Sequence, residues 1–173
     1  NKAHPLIFPK KFVAVYAGTF GTANNLLNVL KTARELKNRG NNKILFLLIG
    51  TGKEQNELLN YTVKYRLENV IFHEPIPKTE LTNVLANAQM GLQVLKNVPE
   101  FYYGTSPNKF FDYIASHLPV LVNYPGWISD LIEKWQCGFT VIPDSPKDFA
   151  DKLEYALNNS HKLPKMSETS RLL

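Results

Sequence analysis

The sequence has only one cysteine, which limits the covalent chemistry open to the chain. Cys137 is that single cysteine among 173 residues, so no intrachain disulfide can form. It lies after an apolar helix-like segment, between Gln136 and Gly138, and we interpret it as a small packing residue rather than a nucleophile. A chain without disulfides is compatible with a reducing compartment, and we expect a cytoplasmic protein.

Long hydrophobic runs are also missing. The longest apolar stretch, ILFLLI at 44–49, is far shorter than the roughly 20 residues that a transmembrane helix needs. The N-terminal NKAHPLIFPKK lacks the continuous apolar segment of a secretory signal peptide. We therefore expect no membrane anchor in this chain.

Charge clusters and metal-ligand spacings are absent as well. The 20 Lys and Arg against 15 Asp and Glu give a net charge of +5, and the basic residues are scattered along the chain. This balance fits an anionic ligand but disfavours nucleic acid, whose binding usually needs a basic patch or stripe. We expect no metal site, because the histidines are far apart in sequence, and we expect no other cofactor. They are His4, His73, His117 and His161.

What the sequence does contain is a regular alternation of strand-like and helix-like runs. KILFLLIG at 43–50 is apolar on both faces, which is typical of a central parallel strand covered by helices on each side. The order predicts an α/β fold with one doubly wound parallel sheet of about six strands. The predicted strands are 12–18, 43–50, 69–74, 90–95, 119–124 and 138–142, and the predicted helices are 23–40, 53–66, 78–88, 107–116, 127–135 and 146–158.

Sheets of this kind bind ligands at the carboxyl ends of their strands, so the turns at 18–24 and 96–109 are the candidate sites. The first turn contains Gly18 and Gly21, spaced G-x-x-G. Either these glycines let the backbone approach a phosphate, or they only serve a tight turn that needs positive φ. A dinucleotide fingerprint would need a third glycine and a later acid, so a NAD domain is disfavoured. IGTGKE at 49–54 lacks the Ser or Thr of a P-loop, and we interpret it as a turn.

The second turn leads into a helix N-terminus that contains an unexpected lysine. Ser106 can cap this helix, and Pro107 suits its first position. Lys109 follows in the first turn, where a cation opposes the helix dipole at a cost of about 0.3–1 kcal/mol. The lysine is either solvated beside a merely capped helix, or part of an anion site with the free backbone N–H groups.

Other polar residues around Lys109 favour the anion site. Thr105, Ser106 and Asn108 supply hydroxyls and an amide at the same helix N-terminus. Asp112 lies four residues after Asn108, on the Lys109 side of the helix, where a carboxylate could accept hydrogen bonds from two sugar hydroxyls. A solvated or lysine-paired Asp112 is the alternative.

The stretch SPNKFFDYIASHLPVL resembles the signature SPNK-(L/F)-F-E-Y-(M/I)-A of a branch of retaining GT-B glycosyltransferases, the glycosyl transferases group 1 or family 4. The branch includes bacterial transferases that move N-acetylfucosamine and related UDP-sugars onto polysaccharide precursors. VYAGTFG, ILFLLIGTGKEQNELL and NVIFHEPIPKTELTNVLANAQMGLQVL are similar to further segments of the family, in the same order. The resemblance covers nearly the whole chain.

The family has two Rossmann-like domains with the active site between them, and this chain resembles the C-terminal, donor-binding one. The resemblance implies an interdomain lead-in at 1–11, a nucleotide-sugar-binding domain at 12–160, and the start of a truncated C-terminal segment at 161–173. Partners would be the nucleotide-sugar donor, the chain's own missing N-terminal domain, and an acceptor glycan or lipid-linked sugar. Catalytic residues would belong to the missing domain.

The resemblance also assigns roles to individual residues. Asp112 matches the second acid of the Glu-x7-Glu motif, which binds the ribose hydroxyls. The backbone around Pro75, Ile76 and Pro77 would meet the base. The donor diphosphate would be held by Gly18, Gly21, Thr105, Ser106, Asn108 and Lys109.

Two departures from the family pattern affect these assignments. The first motif glutamate would fall at Gly104, so its contact to the donor sugar is missing or comes from Glu100. Many relatives carry Arg and Lys in the first loop, where this chain has Thr19, Thr22 and Asn24. Lys109 would therefore be the main cation for the phosphates.

The predicted activity is transfer of a sugar from a nucleotide diphosphate donor, with UDP as the expected nucleotide, to a polysaccharide or lipid-linked acceptor with retention. This chain alone would be an inactive half of such an enzyme. The full-length protein could associate peripherally with the inner face of the membrane. The alternatives are a non-catalytic nucleotide- or phosphate-binding module and half of a sugar-nucleotide epimerase.

Overall fold

The sheet is parallel and its strands are built mainly from apolar residues. The structure, a computed structural model, describes residues 4–104, 108–170 and 172. Its six strands have the order β3-β2-β1-β4-β5-β6, which confirms the predicted fold. The strands are β1 Phe12–Ala17, β2 Ile44–Ile49, β3 Val70–His73, β4 Met90–Gln93, β5 Val120–Val122 and β6 Gly138–Thr140.

Eight α-helices and two short 3-10 segments connect the strands within the described ranges. The 3-10 segments are Thr22–Asn24 and Ser160–Lys162. The α-helices are α1 Leu26–Asn38, α2 Gln55–Lys64, α3 Lys78–Ala86, α4 Pro99–Gly104, α5 Asn108–Ala115, α6 Trp127–Trp135, α7 Pro146–Asn158 and α8 Leu163–Ser170. None of them is long and apolar enough to cross a bilayer, as far as the described residues go.

Helices cover both faces of the sheet, as the two-sided burial of β2 requires. Every residue of β2 is buried. Alternate residues of β1 belong to different cores: Ala14 packs with the layer of α1, α2 and α7, whereas Val15 packs with α3, α5 and α6. The two cores lie on opposite faces of one sheet, and ligands of such sheets bind at the carboxyl ends of the strands.

The fourth α-helix was not predicted, because residues 96–109 were interpreted as a loop. Pro99 stands at the first position of α4 and Glu100 in its first turn, two residue types that favour a helix start. Phe101 and Tyr102 then pack against the core. A helix of only six residues is too short for apolar periodicity to reveal it.

The layer of α1 and α7 supplies much of the core, and Leu30 in α1 is fully buried. Leu30→Ala would leave a cavity, so we expect the free energy of unfolding to fall by about 2–5 kcal/mol in urea denaturation. The neighbouring Lys31 is exposed, so Lys31→Ala should change the free energy of unfolding by less than about 0.5 kcal/mol. Equal losses in the two variants would contradict the observed packing of α1.

Candidate functional site

The carboxyl ends of β1 and β4 form the topological switch point of the sheet. These strands are neighbours, yet the chain leaves β1 toward β2 on one side and leaves β4 toward β5 on the other. The two connections diverge and leave a crevice between them, where open parallel sheets bind ligands. Helix α5 starts beside this crevice at Asn108, after β4 and α4.

Lys109 lies across the end of β1 rather than in solvent. Its side chain is partly buried, with Nζ 5.2 Å from the centre of the Tyr16 ring. Burial lowers the pKa of the Lys109 ammonium below its ordinary value of 10.5. No carboxylate in ranges 4–104 and 108–170 forms an ion pair with Lys109. Lys109 is therefore partly buried rather than fully solvated, and its contact with an anion stays a prediction.

Lys109 passes directly over Gly18, whose lack of a side chain leaves room for the lysine in this position. A Cβ atom at Gly18 would collide with Cε of Lys109 and lie 2.9 Å from Nζ. Neither Gly18 nor Gly21 has positive φ, and Gly21 is extended at −101°. The alternative of a positive-φ turn is therefore wrong for both glycines. At Gly21 an added Cβ would make only ordinary contacts at 3.6 Å, so sterics alone do not explain this glycine.

Tyr113 joins the two strands at the switch point. Its hydroxyl donates to the carbonyl of Leu92 at 2.9 Å and accepts from the Ala17 N–H at 3.4 Å. Burial raises the pKa of this phenol. Gly91 makes room for the ring, since a Cβ atom there would lie within 2.6–2.9 Å of it. Tyr113 thus fixes α5, and with it Lys109, over the end of β1.

The first loop, residues 18–24, is held in place by hydrogen bonds to its backbone. Thr19 O accepts from the Tyr16 hydroxyl at 2.6 Å and from the Asn24 amide at 2.8 Å. Phe20 is buried, and its N–H and carbonyl bond to Thr51 and Glu54, each at 2.9 Å. IGTGKE at 49–54 was interpreted from the sequence as a turn, and the structure adds that this segment holds the first loop.

Two glycines of this turn allow the close approach. A Cβ atom at Gly50, which has φ of +156°, would collide with the Gly18 carbonyl. One at Gly52 would lie 2.6–2.8 Å from the backbone of Phe20. Glycine is needed at these two positions because the turn at 49–54 packs against the first loop. The sequence of either segment alone does not reveal this contact.

The predicted base-binding residues lie beside the first loop. Pro75 and Ile76 line a cavity of about 280 Å³ together with Gly18 and Thr19. Pro77 lies just outside the lining, where it immediately precedes α3. Largely apolar walls with nearby backbone groups suit a flat heterocycle.

The remaining predicted site residues are exposed or lie outside the described residues. Asn108 and Asp112 are exposed on α5, one turn apart, and Glu100 is exposed on α4. Their assigned contacts stay predictions. Thr105 and Ser106 lie outside the described residues.

The ends of β4 and β5 are joined by buried polar side chains that sequence reasoning missed. The Asn123 amide accepts from the Leu95 N–H at 2.8 Å and donates to the Leu95 carbonyl at 3.0 Å. Gln93 is 2% exposed and donates to the Tyr124 hydroxyl at 3.0 Å. These bonds fix the start of the segment that leads to α4 and α5.

The arrangement can bind an anion by electrostatics. Lys109 supplies a cation without an acidic partner in the described ranges, and it stands in the first turn of α5, where the helix dipole also favours an anion. In the described part of the chain, no group of three His, Cys, Asp or Glu side chains could hold a metal ion. The absence of a metal in the reaction stays a prediction.

A family model named Glycosyl transferases group 1 matches residues 1–172. The chain belongs to this family. No curated protein matches this glycosyltransferase-family chain in sequence.

Solved structures agree with the family in fold. A point mutant of S. aureus TarM, in complex with fondaparinux, alpha-GlcNAc-glycerol and UDP, is 18% identical with a TM-score of 0.80, covering 98% of this chain and 33% of TarM. Anabaena HepE, in complex with UDP and glucose, is 15% identical with a TM-score of 0.76, covering 94% and 43%. A C-terminal domain of LpcC from Francisella tularensis is 17% identical with a TM-score of 0.71, covering 94% and 83%. The glycosyltransferase-family chain thus spans less than half of TarM or HepE.

The Tyr113 hydroxyl should be required for stability of the domain. Tyr113→Phe leaves the Leu92 carbonyl and the Ala17 N–H without this partner, so we expect a loss of about 1–3 kcal/mol in chemical denaturation. Tyr103→Phe is the matched control, because Tyr103 is 86% exposed. An unchanged stability of Tyr113→Phe would show that the bridge contributes nothing.

The buried ammonium of Lys109 should make stability depend on pH. Since burial lowers its pKa, the unfolded chain binds this proton more tightly than the folded chain between the lowered value and 10.5. The free energy of unfolding should therefore rise with pH through this window, relative to that of Lys109→Met, and the difference should level off above 10.5. Urea unfolding at several pH values measures this slope, with Lys31→Met as control. A slope of opposite sign would refute the burial of the charge.

Proposed function

We propose that the chain is the donor-binding domain of a retaining glycosyltransferase. The reaction would move a sugar from a nucleotide diphosphate, of the UDP-N-acetylhexosamine type, to a polysaccharide or lipid-linked acceptor. The supporting observation is the partly buried Lys109, which lies over Gly18 at the N-terminus of α5 and has no ion pair with a described carboxylate.

The diphosphate would lie between Lys109 and the first turn of α5. There its charge would offset the cost of keeping a cation at the positive end of the helix dipole. Gly18 and Gly21 would let the first loop approach the phosphates. Thr105, Ser106 and Asn108 would donate further hydrogen bonds.

The base and ribose would occupy the two sides of the first loop. The base would enter the cavity at Pro75 and Ile76, with Pro77 behind it, and Asp112 would accept the ribose hydroxyls. UDP as the nucleotide is supported by TarM and HepE, both of which were crystallised with it.

In the transfer step, the bond between the anomeric carbon and the diphosphate breaks, and the acceptor oxygen bonds to that carbon from the same face, as retention requires. The proton of the acceptor hydroxyl would pass to the departing diphosphate oxygen. Negative charge grows on the departing diphosphate, and Lys109 with the α5 N–H groups would stabilise it. Glu100 is a candidate for contact with the donor sugar. The acceptor and the catalytic groups would be held by a second Rossmann-like domain outside this chain, and the full-length enzyme would work at the inner face of the membrane.

One observation favours a different function. Gly104 occupies the position of the first motif glutamate and cannot supply its carboxylate. A non-catalytic nucleotide-binding module would not need that acid, whereas half of an epimerase would need acids and histidines around the donor sugar. The presence of a Rossmann-like domain before residue 1 in the full gene would argue against the non-catalytic module.

Nucleotide titration of the chain tests the proposal. We expect selective binding of UDP over GDP and ADP, with a Kd near millimolar, about 4 kcal/mol, because half of the site is missing. Lys109→Ala should weaken UDP binding at least about tenfold, since it removes a charge-assisted contact worth about 1.5–3 kcal/mol. Calorimetry or NMR measures both, and Lys134→Ala, an exposed lysine at the end of α6, is the matched control.

The outcomes separate the hypotheses clearly. UDP affinity that survives Lys109→Ala would refute the assigned role of Lys109. Sugar transfer by the purified chain would refute its assignment as an inactive half.

A further inference from the structure

A second lysine, Lys96, lies beside the first loop on the β4 side. It comes shortly after β4, which ends at Gln93, and its backbone N–H donates to the carbonyl of Ala23 at 2.7 Å. This bond joins the segment after β4 to the loop after β1, across the switch point of the sheet. The Lys96 backbone therefore contacts the same loop that the Lys109 side chain covers at Gly18.

The backbone of Lys96 is fixed on both sides. Its carbonyl accepts from the Val98 N–H at 2.7 Å. The preceding residue, Leu95, is buried and bonds through both its N–H and its carbonyl to the Asn123 side chain. The starting point of the Lys96 side chain is therefore defined before any ligand arrives, which reduces the entropy that a contact would cost.

The ammonium of Lys96 has no acidic partner in the described part of the chain. The side chain is exposed, and no carboxylate of residues 4–104 or 108–170 forms an ion pair with it. Asp144, an acid beside the start of α1, accepts instead from the Asn25 amide at 3.4 Å. The first loop itself contains no charged residue. Lys96 is therefore a cation that is available to an anionic ligand at this loop.

The order of the strands places Lys96 on the far side of Lys109 from the predicted base cavity. That cavity reaches Pro75 and Ile76 after β3, Lys109 lies over the end of β1, and Lys96 follows β4. In the order β3-β2-β1-β4, these places succeed one another along the carboxyl edge of the sheet. Neighbouring strands are about 4.8 Å apart, so β4 lies one such step beyond β1. A nucleotide with its base in the cavity and a phosphate at Lys109 would extend toward Lys96.

We propose that Lys96 is a second cation of the donor site and binds the distal phosphate of a nucleoside diphosphate, the phosphate that carries the sugar. This inference rests on the proposed function, which places the base in the cavity and the diphosphate at Lys109. Each phosphate of such a donor carries a negative charge, and one lysine balances only one of them. Lys96 stabilises the distal charge in the bound donor, and more strongly in the departing diphosphate, where that charge grows.

Two lysines at successive phosphates would make the site prefer UDP to UMP, because only UDP extends far enough to meet Lys96. NMR titration of the ¹⁵N-labelled chain with each nucleotide measures this preference. Lys96→Ala should weaken UDP binding about fivefold and UMP binding less than about twofold, since it removes one solvent-accessible contact between a cation and a phosphate. Lys96→Arg keeps the cation and should restore most of the UDP affinity.

The two phosphates of bound UDP can also be observed separately. Their ³¹P signals are resolved, so a change at one phosphate can be assigned to it. Between the unaltered chain and Lys96→Ala, the ³¹P shift of bound UDP should differ more at the β-phosphate than at the α-phosphate. A role of Lys96 in the fold alone would not produce this difference.

Lys53→Ala is the matched control. Lys53 is exposed in the turn at 49–54, which bonds to the first loop from the β2 side. Its removal changes the net charge as much as Lys96→Ala does, so an effect of overall charge would be equal in the two variants. We expect UDP binding by Lys53→Ala to stay within about twofold of that of the unaltered chain. Urea denaturation of each variant verifies that it is folded.

Three results would overturn the inference and leave the proposed function intact. The first is unchanged UDP affinity in Lys96→Ala. The second is an equal loss of UMP and UDP affinity, which would remove Lys96 from the distal phosphate. The third is an equal loss of UDP affinity in Lys96→Ala and Lys53→Ala, which would show an effect of net charge without a contact. If the unaltered chain binds neither nucleotide, the proposed function fails, and the role of Lys96 fails with it.

Discussion

The hydrogen bonds of the Tyr113 hydroxyl hold together the part of the sheet on which the site depends. The last paired residues of β1 and β4 are Val15 and Gly91. After them, the segment that follows β1 leads to β2 on one side, and the segment that follows β4 leads to β5 on the other. Tyr113 closes this gap by bonding to both. Because the bridging side chain belongs to α5, the same contact that joins the strands also orients the helix toward the crevice.

The position of Lys109 is unfavourable in the isolated domain. Burial disfavours its charge, the helix dipole opposes it, and the ring of Tyr16 at 5.2 Å offsets only part of this cost. The Lys109 side chain nevertheless lies over Gly18 in the structure. Strain of this kind is typical of residues that serve a ligand rather than the fold.

The sequence was sufficient for the fold, and it singled out Lys109, whose assigned role stays a prediction. The two-sided apolar pattern of β2 predicted a central parallel strand, and Lys109 was noticeable because it violated a local rule of helix chemistry. The Tyr113 bridge and the Asn123 amide could not be predicted, since both join residues that come together only in the folded sheet. Helix α4 was missed because it is too short to show a period.

The first loop has a consequence for the thermodynamics of ligand capture. Its backbone is already bonded to Tyr16, Asn24 and the turn at 49–54 before any ligand arrives. Because the loop is already ordered, ligand binding costs little conformational entropy of the backbone. The loop also does not have to close over the ligand, so little additional apolar surface becomes buried. Association at this side of the crevice should therefore resemble docking to a rigid body, with only a small change in heat capacity.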